Sequence, residues 1–576
     1  MQDLKIFRFL MAACIFGITS CTTGNDFKYL TAEDPGTATI KIYKNNNSTS
    51  KNRFIAPKNV TISQTYQSLS GKLTSELSFY CPSVGDVNLL VIPVKTPGDK
   101  NKWMDDEKRA TIKSNIETAF FGTTNEKFGY KSVKDFYKES SFNKLNLSGK
   151  VTDWFDVKAN TTVQKYAQMT GSYDGTIANE ILLKAIEWAK ETQNIDLKEF
   201  DKNEDGFIDA VYLVYDEFDA ETQVQYELLN YSYYDEKTLN MDLMDITYQN
   251  IYTMPEEGKD PVPSSFSWLS FASLYKGYAQ YDENAYPNFD NLLENKFSTQ
   301  SFIHEQGHLF GLEDYASSTN SAYHPIGRHS MMDMKVCDLD SYSKMTLGWI
   351  TPYVVYGTSE ILLPKANFAD NCVIVIPSKF ETISTSVENA IANETIDSFT
   401  YEFNPFSEYI MIDLYSPDGL NYQDAFGDVM YGYRPSSNGS GVRIYHVDSR
   451  IFKANVVESD YGITFNYVDG YEWNGKSFDK NQMIFAPISN SEIEQSSYQL
   501  PYEFNKFDRI RLLEATQINT FDEGGWTDYT TYFKKGSEPF EIETFGYRFF
   551  NVNYTYNDGN LLPFKVSVET LKEVKF

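Results

Sequence analysis

At 576 residues the chain is longer than a single domain usually is, so two or three domains are expected. A hydrophobic share of 41%, with 16% aromatic, is ample for packed cores. The net charge of −29 argues against nucleic acid or an anionic membrane surface as partner, since either would repel it.

The first twenty residues read as a targeting segment. Lys5 and Arg8 precede an apolar run from Phe9 to Ile18 that is too short to span a bilayer as a helix. The run ends in Ile18-Thr19-Ser20-Cys21, similar to a bacterial lipobox, in which the chain is cut before the cysteine and the cysteine is lipidated. The expectation is a signal peptide over residues 1–20, a lipid anchor on Cys21, and an exported protein tethered to a bacterial membrane. Thr22, which is not an acid, leans toward the outer membrane and cell surface. Residues 21–84 read as a tether or lead-in and a candidate propeptide, with a polar run from Lys44 to Asn52 and one short strand at Thr39 to Tyr43. After the signal and anchor, Cys81, Cys337 and Cys372 remain. Three is an odd number, so no full disulfide framework is expected, though Cys337 and Cys372 form a candidate pair.

Val87 to Val94 is a near-continuous apolar run of the kind buried on both faces of a sheet. Helical patterning follows over Asp105 to Phe120 and Ile177 to Ala189, and Ala210 to Tyr215 reads as another buried strand. This alternation predicts a mixed α/β domain over residues 85–352. The tyrosine-rich stretch from Asp219 to Ser265 reads as a surface insertion. Just before Ala210, Asp201-Lys202-Asn203-Glu204-Asp205-Gly206-Phe207-Ile208-Asp209 resembles the start of a calcium loop. Asp201, Asn203, Asp205 and Asp209 are its candidate calcium ligands. Tyr212 stands where an intact EF-hand has glutamate, and a plain polar turn fits the pattern equally well.

The segment His304 to Asp314 reads H-E-x-x-H-x-x-G-x-x-D. On a helix, residues four apart lie one above the other, so His304 and His308 aim both imidazoles at one point. That is the spacing of two zinc ligands, with Glu305 placed to take a proton from zinc-activated water. Gly311 can adopt the left-handed conformation that ends the helix and turns the chain back. Asp314 then becomes the expected third ligand, with Glu313, His324, His329 and Asp333 as competitors. Ser330-Met331-Met332-Asp333 follows at the distance of a methionine turn, with Met332 the residue expected beneath the histidines. Past Thr351-Pro352 the pattern becomes short alternating segments at Glu408 to Tyr415, Gly441 to Val447 and Arg511 to Glu514. Turn residues such as Pro417-Asp418-Gly419 separate them, which predicts an all-β, sandwich-type region over residues 353–576.

Together these pieces resemble the immune inhibitor A family of secreted bacterial metalloproteases. The resemblance is carried by Ser132 to Tyr137, Ser140 to Phe142, Leu147 to Gly149, Asp201 to Tyr215, the zinc motif, Gly327 to Asp333, and Lys344 to Ile350. Glu408-Tyr409 and Gly441 to Asp448 extend it. It implies a metzincin-like zinc peptidase domain acting on protein or peptide substrates, with Glu305 as general base. His329 and Tyr215-Asp216-Glu217 depart from the family pattern. No residue is identified as stabilising the oxyanion, and His324, His329 and Tyr342 are the candidates. The competing expectation is a lipid-anchored surface protein binding glycans or host glycoproteins, with an incidental zinc domain.

Overall fold

The computed structural model describes residues 80–95, 105–157, 176–216, 255–275, 296–375 (except 313, 316–323, 334 and 357–358), 408–426, 438–448 and most of 510–533, with short strands elsewhere. The expected signal peptide and the Cys21 that follows it lie outside the described residues, as does Glu313. No helix among the described residues is long and apolar enough to cross a membrane.

A mixed α/β unit comes first. Its elements are β1 (Gly85–Lys95), α1 (Asp106–Phe121), α2 (Val133–Ser140), β2 (Leu145–Val151), α3 (Thr176–Thr192), β3 (Ala210–Tyr215) and β4 (Ser265–Ser270). The sheet runs in the order β4-β3-β1-β2, all parallel, with Gln249–Asn250 added antiparallel along the free edge of β4. Successive side chains on a strand point to opposite faces, and the apolar run of β1 divides accordingly. Val87, Leu89 and Val91 pack with Ile112, Ile116 and Phe120 of α1 on one face. Leu90, Ile92 and Val94 pack with Ile181, Leu182, Ala185 and Ala189 of α3 on the other. Burial on both faces is why the run contains no polar alternation. The caps are local in origin, since Asp105 accepts from the Lys108 amide to start α1 and Ser132 accepts from Asp135 to start α2.

One element was not expected from the sequence. The stretch read as a surface insertion ends where β4 begins, and all six residues of Ser-Phe-Ser-Trp-Leu-Ser are buried. Its serines sit on a covered face because β4 is parallel and internal, which the polar-apolar alternation conceals.

The chain then passes through α4 (Gln300–Leu309) and α5 (Ser341–Thr346) into β5 (Thr351–Tyr356), β6 (Asn371–Val375), β7 (Glu408–Tyr415), β8 (Gly441–Asp448) and β9 (Ile510–Leu512). These last five strands form one sheet in sequence order, edged by Arg53–Ile55. A second sheet combines Lys41–Lys44 with Ser359–Leu363, Asn560–Thr570, Tyr547–Asn557 and Phe540–Ile542. The lead-in thus supplies an edge strand to each sheet. Ile374, Met411, Tyr445 and Leu512 face the same core as α4, whereas Val373, Ile410, Ile412 and Ile444 pack with Ile361 and Leu363. The core beneath the zinc motif therefore continues across residue 352 without a break. Cys81, Cys337 and Cys372 are all free thiols buried in these cores, so the Cys337–Cys372 pair does not form.

Candidate metal centre

Helix α4 lies against the sheet through Phe302 and Ile303, and its carbonyls are held from two sides. The Tyr137 hydroxyl donates to Ile303 O at 2.5 Å and the Tyr212 hydroxyl to Phe302 O at 3.1 Å. Burial pushes both phenols well above their ordinary pKa, so they remain donors. Neither tyrosine was singled out from sequence as touching the helix, because nothing local marks a contact made across 166 or 90 residues.

His304 and His308 project from consecutive turns of α4, with ring centroids 4.9 Å apart. Each has one nitrogen occupied by backbone. Nδ1 of His304 is 2.8 Å from Met331 O, and Nδ1 of His308 is 2.8 Å from Leu312 O. A carbonyl can only accept, so Nδ1 carries the hydrogen on both rings when they are neutral, leaving the Nε2 lone pairs outward. Both Nε2 atoms converge on Asp314, at 2.8 and 3.4 Å from the same Oδ1. The Glu305 carboxylate joins the cluster, with one ligand atom from each of His304, Glu305 and His308 lying within 4.8 Å of the others. It is the one such cluster among the described residues.

The turn that returns Asp314 depends on glycine. After α4 the amides of Gly311 and Leu312 bond back to His308 O at 2.8 Å and Gly307 O at 3.0 Å, with Gly311 at φ +88°. A side chain at Gly311 would also meet the Tyr80 ring at 3.2 Å. The same short segment caps the helix end, since the Cys81 amide donates to Leu309 O at 2.9 Å. Residues 80–83 of the expected tether are thus packed into the site's foundation.

Met332 lies directly beneath α4. A Cβ on Gly307 would fall 2.4 Å from its Sδ, so this glycine between Gln306 and His308 lets the methionine approach. Met331, its neighbour, contributes its carbonyl to His304 as described.

Electrostatics follow the geometry. Burial disfavours a charged His304, but the Asp314 carboxylate outweighs it, with Glu305 adding, and the pKa rises to about 9. His308 is raised by the same balance. Desolvation works to raise the Asp314 carboxyl, and the two imidazoles outweigh it, holding it well below the usual range. Half of the Asp314 side chain still faces solvent, which screens the pair. A cation held by the two Nε2 atoms and Asp314 would require both imidazoles neutral, so its binding would release protons.

Three of the four competitors for third ligand, His324, His329 and Asp333, lie among the described residues, and each is engaged elsewhere. Nδ1 of His324 is 2.5 Å from Asp333 Oδ1, both side chains being buried, and His329 sits between Arg443 and Tyr532. The departure at Asp216 is a buried ion pair, with Arg109 3.1 Å away.

The acidic loop is closed by its own backbone. Asp201 accepts from the Asp205 and Gly206 amides, both at 3.0 Å, and Asp205 accepts from Phe207 at 2.9 Å. Asn203 donates to the Asp205 carboxylate at 2.7 Å. Asp209 accepts from Lys202 and Asn88, and burial pushes its carboxyl up to about 7.

Two imidazoles and a carboxylate converging from one helix and its return turn, on a mixed α/β domain, are the donor set of a metallopeptidase. Residues 96–210 match the family model described as the immune inhibitor A peptidase M6 catalytic domain. The matched stretch covers α1, α2, β2, α3 and the acidic loop, and stops before α4. No match is found among curated proteins.

Proposed function

We propose that the chain is an exported, lipid-anchored zinc metalloendopeptidase that hydrolyses peptide bonds of proteins. His304, His308 and Asp314 are the ligands in this reading, Glu305 the general base, and Cys21 the anchor that holds the enzyme at a bacterial membrane or cell surface. The β strands beyond residue 352 make up its sandwich-type region. The observation that carries the reading is the convergence of both Nε2 atoms on one Asp314 oxygen.

The donor set fits zinc, being two neutral-capable imidazoles with fixed tautomers and one carboxylate. Zinc, when bound, supplies the charge that acidifies water toward a pKa of about 7 and polarises the scissile carbonyl. The chain's own residues do the rest. Met331 O and Leu312 O keep the two rings oriented, so little is spent on ordering them. Glu305, buried beside His304, accepts the proton of the attacking water and delivers it to the departing amine. Asp201, Asn203, Asp205 and Asp209 remain the candidate calcium ligands in this reading.

The test is cleavage of casein or gelatin by the native chain and by Glu305→Ala, with zinc content measured on both. The expected result is about one zinc in each and cleavage by the native chain alone. Zinc in both with no cleavage would leave a latent or highly selective enzyme and a surface-binding protein as the two readings, and an absence of zinc would refute the metal reading.

A further inference from the structure

The C-terminal β region reaches the candidate metal centre through one buried cluster. Arg443, on β8, donates through Nε and Nη2 to the two carboxylate oxygens of Asp413 on β7, at 2.5 and 2.7 Å. Its Nη1 is 2.7 Å from Nε2 of His329. The Tyr532 hydroxyl lies 2.7 Å from the other ring nitrogen, Nδ1. Tyr415 packs edge-on against the same ring. His329 stands two residues before Met331, whose carbonyl holds Nδ1 of His304.

A guanidinium only donates, so His329 accepts at Nε2 and carries its hydrogen at Nδ1, toward Tyr532. The ring is thereby fixed in one tautomer and one orientation. Arg443, Asp413, His329 and Tyr532 are all buried. Burying an Arg–Asp pair brings no dependable stability, because desolvation cancels much of the attraction. An apolar pair would fill the space without that cost, so stability alone does not account for the cluster. What a guanidinium does that an apolar side chain cannot is grip a neighbour by a directed hydrogen bond.

The rest of the turn is gripped in the same way. Ser330 Oγ donates to Asp340 at 2.8 Å, and the Met331 amide donates to Asp338 O at 3.2 Å. Ser341, the first residue of α5, donates to Asp413. Asp413 therefore bridges Arg443 and the helix that follows the turn, and Arg443 closes the remaining point at His329.

We infer that Arg443 is a positioning residue for the metal centre, acting through His329 on the methionine turn and so on His304. The inference rests on the zinc reading above. It makes β7 and β8 part of the peptidase apparatus and not a separate appendage.

The test uses the full chain carrying Asp413→Leu and Arg443→Met together, which removes the grip without stranding a buried charge. Zinc affinity is read by competition with a chelating dye, ligand geometry by the visible spectrum of the cobalt-loaded protein, and folding by thermal melting. The expected result is a folded variant with zinc affinity weakened about tenfold and an altered cobalt spectrum, the effect of losing an outer partner of a ligand. Native affinity and spectrum in a folded double variant would overturn the inference. If the double variant does not fold, Arg443→Lys keeps a buried cation beside Asp413 and removes the planar fork that spans Asp413 and His329. A measurable loss of zinc affinity then supports the inference, and native affinity overturns it. A native chain that takes up neither zinc nor cobalt overturns the zinc reading itself, so the two failures are distinct.

Discussion

Gly307→Ala sets two effects of known size against each other. Alanine in a helix interior is favoured over glycine by about 1 kcal/mol. The new methyl would stand 2.4 Å from Met332 Sδ and 3.0 Å from its Cε, while Tyr137 at 3.7 Å is in ordinary contact. Overpacking a filled core costs about 1–3 kcal/mol. The clash is with a methionine that is itself fully buried, so the cost should win and the variant should lose up to about 2 kcal/mol. Displacing Met332 also drags the Met331 carbonyl from His304, so zinc affinity should fall with stability. The decisive assay is a double-mutant cycle by urea unfolding of the metal-free protein. In a Met332→Ala background, itself costing about 2–5 kcal/mol, the same methyl meets open space and should stabilise by about 1 kcal/mol. The sign of the glycine substitution therefore reverses, with a coupling of about 1–3 kcal/mol. A stabilising Gly307→Ala in both backgrounds, with no coupling, would show that Met332 does not pack beneath α4.

Three further outcomes are expected. Asp314→Ala should weaken zinc binding beyond the roughly 100-fold that marks loss of an outer partner, as a chelator competition would show; near-native affinity would remove Asp314 from the ligand set. Gly311→Ala should cost about 1–2 kcal/mol for its left-handed φ alone, before the Tyr80 ring is counted, and unaltered urea stability would contradict the turn described. Asp209 titrates near 7 when folded against about 3.9 unfolded. The folded state therefore holds that proton more tightly, and its contribution is full below pH 4 and lost as the pH rises through 7. Unfolding free energy should fall by up to about 4 kcal/mol across that window relative to Asp209→Asn, and parallel pH profiles for the two proteins would refute the assignment.

Much of the centre was legible because its signals are local. The i, i+4 spacing of His304 and His308, the helix-ending Gly311 and Asp314 three residues on lie within a few turns of one another, where backbone geometry alone relates the side chains. The two-faced β1 and β3 were legible as well, since burial on both sides leaves an unbroken apolar run. Strand β4 was not, because its alternating serines imitate a solvated face.

What the sequence by itself determined is the chemistry on offer: which helix carries the imidazoles, which glycine permits the turn, and a short set of acids and histidines from which a third ligand could come. Only the tertiary structure decided how those groups are held. Tyr137 and Tyr212 on the helix carbonyls, Cys81 at the helix end, three thiols kept apart, and Arg443 on His329 all join residues far apart in the chain. Such contacts leave no period or spacing to read, because the distance between two partners in sequence bears no fixed relation to the distance that folding leaves between them.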